Sequence, residues 1–459
     1  MRPGERDGSK PGRISRRSVL LAGAGGLAAA CERPSDTAPA AARRDVEITI
    51  LPAGGFGAAL DEQVFPPAYA RFREQTGVKV STLKVPENDI PDKLTTMVAG
   101  GTPPEGSYIH PQWVGSVVSA GLVTPIEPYV TRDRALNLSD MFPTLLDYFR
   151  SPTSGGKLYG LAYYSGPGVT IYNRTLFDRL GVKTPDRWEQ EGRWTWETVQ
   201  DVATRLTKGA DAEKTWGWGS TTNGLNSLNV LIWANGGDVW DKELTRTRLG
   251  EAAATDALQF YADLRTRYGV VAEGDEASAL LGSTGATAFR TTGRVAMYFG
   301  IKDAIPALAA GPGPGFQPGV APLPKGKSGR FDRNGPNSYM IVNGSRQPEA
   351  VYQLIAWMTT AEYQAFPFKI GGSIPVRRSQ LQSGEFRRSL QPWEPFEVWK
   401  EAADADRALP ISAQHIEIQR VFGAAYDQVR AGKATVKELM PALAPQIDAL
   451  LRLAKGSQR

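Results

Sequence analysis

The chain carries few groups able to make or break bonds. His110 and His415 are its only histidines and Cys31 its only cysteine, in 459 residues. A three-histidine zinc centre, a cysteine cage, a CxxC redox pair and an intramolecular disulfide framework are therefore excluded. No Gly-x-Ser-x-Gly elbow occurs, and histidines this far apart form no triad motif. Gly326-Lys327-Ser328 ends like a phosphate-binding loop. Ala321 stands at its required first glycine, however, and Pro322 and Pro324 lack the N–H groups that would cradle phosphate. Gly311 to Gly315 alternates glycine with proline and has no helix start behind it, so it reads as a turn-rich loop and not a dinucleotide site. What the chain does offer is aromatic and amide groups in loops: several of its 11 tryptophans stand beside glycine or proline. Trp233-Ala234-Asn235-Gly236-Gly237-Asp238 combines a ring, an amide, a carboxylate and two glycines that admit close backbone approach. Flat rings with Asn, Asp, Glu or Arg at the rim suit non-covalent recognition of a molecule with C–H faces and hydroxyl edges. The same six residues also read as a helix stop and tight turn, with Asn235 capping and Asp238 solvated. Trp216-Gly217-Trp218-Gly219, similar in composition, alternates as a buried strand does.

A hydrophobic share of 41% with 22% charged residues is that of a soluble globular chain, and the length suggests two or three domains. The formal charge is +5, but six Lys and Arg against two Asp and Glu fall in Met1 to Ala30. The remainder is close to neutral and has no basic stripe, so no nucleic-acid partner is expected. Arg13, Arg16 and Arg17 precede the uncharged run Ser18 to Ala30, which is too short to span a membrane and shaped like a bacterial export signal. Ser15-Arg16-Arg17-Ser18-Val19-Leu20 resembles a twin-arginine signal. Cys31 follows directly and reads as the lipid-modified first residue of a mature lipoprotein. The competing readings are a small buried core cysteine and ordinary cleavage at Ala28-Ala29-Ala30, since Ala28 and not a leucine stands three places before Cys31. Residues 1–30 are thus an expected export signal and 31–44, rich in Pro, Ala, Ser and Asp, an expected tether. The mature chain is expected outside the cytoplasm, lipid-anchored on the cell surface or the periplasmic face.

Periodicity supplies the elements that would position these groups. Val46, Ile48 and Ile50 alternate as a strand; Val64, Ala68 and Phe72 share a helix face stopped by Gly77; Val78, Val80 and Thr82 make a second strand. Strand, helix and strand at this spacing predict a parallel crossover and an α/β domain. Val169 to Tyr172 and Val295 to Phe299 read as strands. Thr195 caps a helix with Trp196, Val199, Ala203 and Leu206 inward, Leu258 to Tyr268 forms another stripe, and Pro348 opens a third helix.

The segments Lys93 to Pro104, Gly160-Leu161-Ala162-Tyr163-Tyr164, Ile171 to Phe177, Ala234 to Asp238 and Ala321 to Gly326, in this order, resemble the extracellular solute-binding proteins of family 1. These are sugar-binding subunits of bacterial ABC importers, similar in architecture to maltose-binding protein. The resemblance implies an α/β two-lobed periplasmic-binding-protein type II fold with discontinuous lobes joined by a three-segment hinge. Lobe 1 is expected over 45–158 and 300–345, and lobe 2 over 159–299 and 346–459. Crossings are expected near Gly156 to Ala162, Arg290 to Lys302 and Asn343 to Pro348. Two places depart from the family pattern, both expected at strand ends facing the cleft: Glu105-Gly106-Ser107-Tyr108, where Asp commonly follows the prolines, and Leu51 to Phe56, which lacks a tryptophan.

Ligands of open α/β sheets bind beyond the carboxyl ends of the strands, which puts His110 and Trp113 near the cleft, with structural packing as the competing reading for each. The resemblance places Tyr163 and Tyr164 at its base. It also places Phe299, Gly300 and Tyr339 on cleft walls and Gly372 and Trp393 on the rim of the second lobe. With these, Phe56, Glu87 and the locally read Trp233, Asn235 and Asp238 make up the expected carbohydrate-binding residues. The expected function is solute capture and delivery to membrane permease subunits by a monomer, with no metal, no cofactor and no catalysis. The alternative is a secreted glycan-cleaving enzyme with two carboxylates astride the scissile bond, drawn from Glu87, Asp89, Glu105, Asp238 and Glu394.

Overall fold

The computed structural model describes residues 46–52, 62–219, 224–311, 313 and 315–456. The export signal, the tether, Cys31 and Phe56 lie outside the described residues.

The alternating segment Val46–Leu51 forms β1. Helix α1 (Phe65–Thr76) buries Phe65, Ala68, Tyr69 and Phe72, and stops at Gly77, whose φ of 77° is one that glycine alone adopts without strain. Strand β2 (Val78–Thr82) returns parallel to β1, Val46 opposite Val78. Strand β3 (Gly106–Ile109), buried throughout, pairs parallel on the other side of β1 and leads into α2 (Val114–Ser119). The crossover expected from sequence is present.

The second sheet is built around β4 (Gly168–Asn173), all six residues of which are buried. Val169 and Ile171 face one apolar cluster with Trp216, Tyr298 and Val320; Tyr172 faces another with Trp218, Met297 and Ala321. A strand covered on both faces carries a near-continuous apolar run. Helix α3 (Trp196–Leu206) is capped by Thr195, whose hydroxyl accepts the N–H of Thr198 at 3.3 Å. Next come β5 (Trp216–Gly219), α4 (Leu225–Ala234), α5 (Ala252–Thr266), β6 (Val295–Ile301) and β7 (Pro318–Ala321). The strand order is β5-β6-β4-β7. Pro318, without an N–H, sits at the start of an edge strand, where none is needed.

The chain then rejoins the first sheet. Strand β8 (Ser338–Ile341) pairs antiparallel with β3, giving the order β8-β3-β1-β2, and α6 (Pro348–Trp357) packs on β8 and β1. After α7 (Phe396–Asp404), helices α8 (His415–Arg430) and α9 (Val436–Gly456) pack on α5 in the second half. Three segments therefore connect the halves, at about 159–167, 322–337 and 405–414.

Two expected boundaries are corrected. Residues 300–345 do not go with the first half as a block, because β7 pairs with β4. The chain does not leave the first half at 343–348, because α6 stays on the first sheet. Which sheet a strand joins is decided by partners far away in sequence, and local alternation carries no record of it.

Glu105 is corrected too. It lies at the start of β3, away from the strand's carboxyl end, and one carboxylate oxygen accepts Ser345 Oγ at 2.6 Å and the N–H groups of Arg346 and Gln347 at 2.7 and 3.1 Å. Its longer side chain ties the turn that opens α6.

Candidate functional site

The three connecting segments are stitched by buried polar side chains. Both oxygens of Asp332 accept the Gly168 N–H at 2.9 Å, and its backbone pairs with Ala405 and Arg407. Asn334 accepts from Gly166 N–H at 2.9 Å and donates to Ser165 Oγ at 2.7 Å, while its own N–H reaches Asp406 Oδ1 at 2.9 Å. Tyr148 donates to the same carboxylate at 3.2 Å. Burial, reinforced by Asp406, pushes the Asp332 carboxyl well above the usual range, and burial alone brings Asp406 and Asp303 up to about 6.

These shifts predict a pH effect. A carboxyl raised in the folded state contributes stability that is complete below its unfolded value and lost as pH rises through its folded value. The stability difference between wild type and Asp406→Asn is therefore expected to move in the variant's favour between pH 4 and 7, measured by thermal unfolding. A difference independent of pH would contradict it.

Beyond the carboxyl end of β3, His110 accepts the Gln112 N–H on Nδ1 at 3.3 Å and opens the turn that leads into α2. Gln112 accepts from Asn226 of α4 at 3.1 Å, and Asn226 accepts the His415 Nε2–H at 2.8 Å, so a polar chain runs from the first half to the second. Burial lowers both histidines to about 3, the nearby Arg333 adding to the effect at His110. Both rings are neutral at ordinary pH.

The expected site residues divide into groups. Glu87 is half-buried, its carboxyl raised by burial, and it accepts the Tyr108 hydroxyl at 3.1 Å. Trp113 is 4% exposed and meets Tyr108 edge-on at 5.9 Å. Tyr163 stacks on Tyr339 at 5.2 Å, and Tyr339 shares a 2.7 Å hydroxyl contact with Tyr69, so both rings belong to the first-half core. Tyr164 is buried in the hinge, bridged through its backbone to Asn337. Phe299, on β6, is half-buried against Trp196 at 5.2 Å and Trp218 at 5.6 Å. At Gly300 an added Cβ would meet Ile171 Cδ1 at 2.3 Å, so the glycine answers to strand packing. Gly372 is a buried loop residue, and Trp393 is half-buried against the core.

The Trp233 motif differs most from its expected role. Trp233 is 1% exposed; its Nε1–H donates to Asp238 at 3.0 Å, and the Arg407 guanidinium lies over its ring at 4.6 Å. Asp238 is ion-paired with Arg407 at 2.6 Å, and Asn235 donates to the Ala253 carbonyl at 2.8 Å. The stacking face is covered by an arginine 174 positions along the chain, in a contact with no local signal. The motif reading does not reach Asn229, one turn before Trp233, whose side-chain amide is buried without a hydrogen-bond partner among the described residues. The only local hint at Asn229 is an amide inside the apolar run Leu228 to Ala234.

The family whose sequence profile matches this chain is the bacterial extracellular solute-binding proteins, over residues 58–365, and the chain belongs to it. A binding protein of Brucella abortus (strain 2308) is 21% identical over 389 residues, 83% of this chain and 87% of its own. The Listeria monocytogenes ABC substrate-binding protein solved with cycloalternan superposes with a TM-score of 0.75 at 21% identity, covering 90% of this chain and 99% of the other. An Agrobacterium radiobacter K84 ABC transporter solute-binding protein in complex with ribitol gives 0.68 at 21% identity, over 90% and 98%. At such identity the structures establish the fold, a type II periplasmic binding protein. Among the described residues no helix is long and apolar enough to cross a membrane.

Proposed function

We propose that this chain is the extracytoplasmic solute-binding subunit of an ABC importer, which captures a polyhydroxylated solute between its two halves and hands it intact to membrane permease subunits. The observation that carries the reading is the architecture: two sheets joined by three stitched segments, with the carboxyl end of β3 linked to α4 by the Gln112–Asn226 hydrogen bond. Such a joint closes on a solute to the extent that the solute touches both sides. The ligands named for its structural neighbours, an oligosaccharide and a polyol, support hydroxyl-rich chemistry.

The enzyme alternative loses its acids. Glu105 ties the α6 turn, Asp238 is paired with Arg407, and Glu394 is fully buried against Lys302. Glu87 and Asp89 remain, two residues apart in one short helical turn, not on opposite sides of a substrate. In this reading no bond is made or broken. Export by the twin-arginine-like leader and a lipid at Cys31 would hold a monomer at the membrane; detergent partitioning of the mature chain checks the anchor.

Thermal-shift screening against mono- and oligosaccharides and polyols is expected to give saturable stabilisation, with the solute recovered unchanged. At a hundredfold excess over Kd the gain is about 2.7 kcal/mol. Hydrolysed product from any hit would overturn the reading.

A further inference from the structure

Gln112 and Asn226 hold corresponding places in the two halves. Gln112 follows the carboxyl end of β3, and Asn226 lies in the first turn of α4, which follows β5. Solutes of open α/β sheets bind beyond such strand ends. Here the two side chains bond each other directly, the Asn226 amide nitrogen donating to the Gln112 carbonyl oxygen at 3.1 Å. At that separation no molecule fits between the two groups.

Both ends of this bond are held in place. Asn226 accepts the His415 Nε2–H at 2.8 Å, and Gln419, one turn along α8, accepts the N–H of Leu225 at 3.0 Å. His415 is 0% exposed, with Trp240 edge-on to its ring at 5.7 Å. On the other side the Gln112 N–H donates to His110 Nδ1 at 3.3 Å. Helix α8 also packs on the Pro111–Trp113 turn and on α2, so the second half reaches the first at this point through backbone as well as side chains. Gly115 of α2 approaches the third connecting segment so closely that an added Cβ would collide with the Ser412 carbonyl. Gly115 is one turn from Gln112 and Ser412 stands just before His415, so this approach seats both ends of the chain of hydrogen bonds.

We propose that the Gln112–Asn226 bond is a latch, which holds the two halves together in the absence of solute and breaks when solute enters. The inference goes beyond the capture reading, since it concerns the protein before any solute arrives.

The test reads the separation of the halves directly. The chain after Cys31 has no cysteine, so one spin label can be placed on each half, at Lys93→Cys and Glu243→Cys, both exposed positions. Pulsed electron paramagnetic resonance with no solute added is expected to show mainly the short distance in the otherwise wild-type chain. Gln112→Ala should raise the ratio of long to short distances by roughly 2- to 10-fold, the range that one net neutral hydrogen bond spans. Adding Gln112→Ala to Asn226→Ala should move the ratio no further than Asn226→Ala alone, because the bond is already gone. Equal ratios with and without Gln112→Ala overturn the latch. So does an additive double variant, which would give the two amides separate roles. The measurement needs no solute, so failure of the solute screen sinks the capture reading and leaves the latch standing.

Discussion

Glu394→Gln is expected to destabilise the protein by about 3–5 kcal/mol, the cost of leaving a buried charge uncompensated. Lys302, immediately after β6, and Glu394, ahead of α7, form an ion pair whose side chains are both 0% exposed. Trp399 covers the ammonium at 4.6 Å, and Gln391 donates its N–H to the other carboxylate oxygen at 2.9 Å. Burial already lowers the Lys302 pKa, and Glu394 is what opposes it. Chemical unfolding should show a lower midpoint for Glu394→Gln. The double variant Lys302→Met/Glu394→Leu should recover most of the loss, because removing both charges also removes both desolvation costs. A double variant as unstable as the single would mean that shape, not charge, holds this joint.

Asp332→Ala is expected to cost about 2–4 kcal/mol and to weaken solute capture. The carboxylate accepts the Gly168 N–H with both oxygens at 2.9 Å and the Arg333 N–H at 2.6 Å, and truncation leaves those donors buried. An unmet buried donor costs about 1–3 kcal/mol. Gly168 opens β4 and Asp332 lies on the way to β8, so the loss falls on the bond between two connecting segments. The expected readouts are a melting temperature lower by several degrees and reduced affinity for whichever solute the screen identifies. Asp332→Asn, which keeps one acceptor, should lie between. A melting temperature unmoved by Asp332→Ala would show that backbone pairing with Ala405 and Arg407 suffices.

Much of the architecture is legible in the residues, and the reason is locality. The Val46 to Thr82 crossover, the Thr195 cap and the Pro348 helix start each depend on neighbours a few positions away. The candidate site was legible only in part. His110 and Trp113 do follow a strand's carboxyl end, as the strand reading implied. Glu394, one of the carboxylates offered to the enzyme alternative, is instead sealed against a lysine 92 residues away. Asn235 and Asp238 have their polar atoms engaged by Ala253 and Arg407. Whether a polar side chain meets solute or another side chain depends on contacts that arise only on folding.

The amino-acid order alone determined the α/β elements, the family and the absence of cysteine- and histidine-based chemistry, because periodicity and residue type act over single turns and strands. Only the tertiary structure decided that β7 stays with the second sheet while α6 stays with the first, that Trp233 is roofed by Arg407, and that Glu394 is sealed against Lys302. Each is a pairing between residues distant along the chain. Such pairings are selected by the total burial and hydrogen bonding of the whole, and no local pattern encodes them.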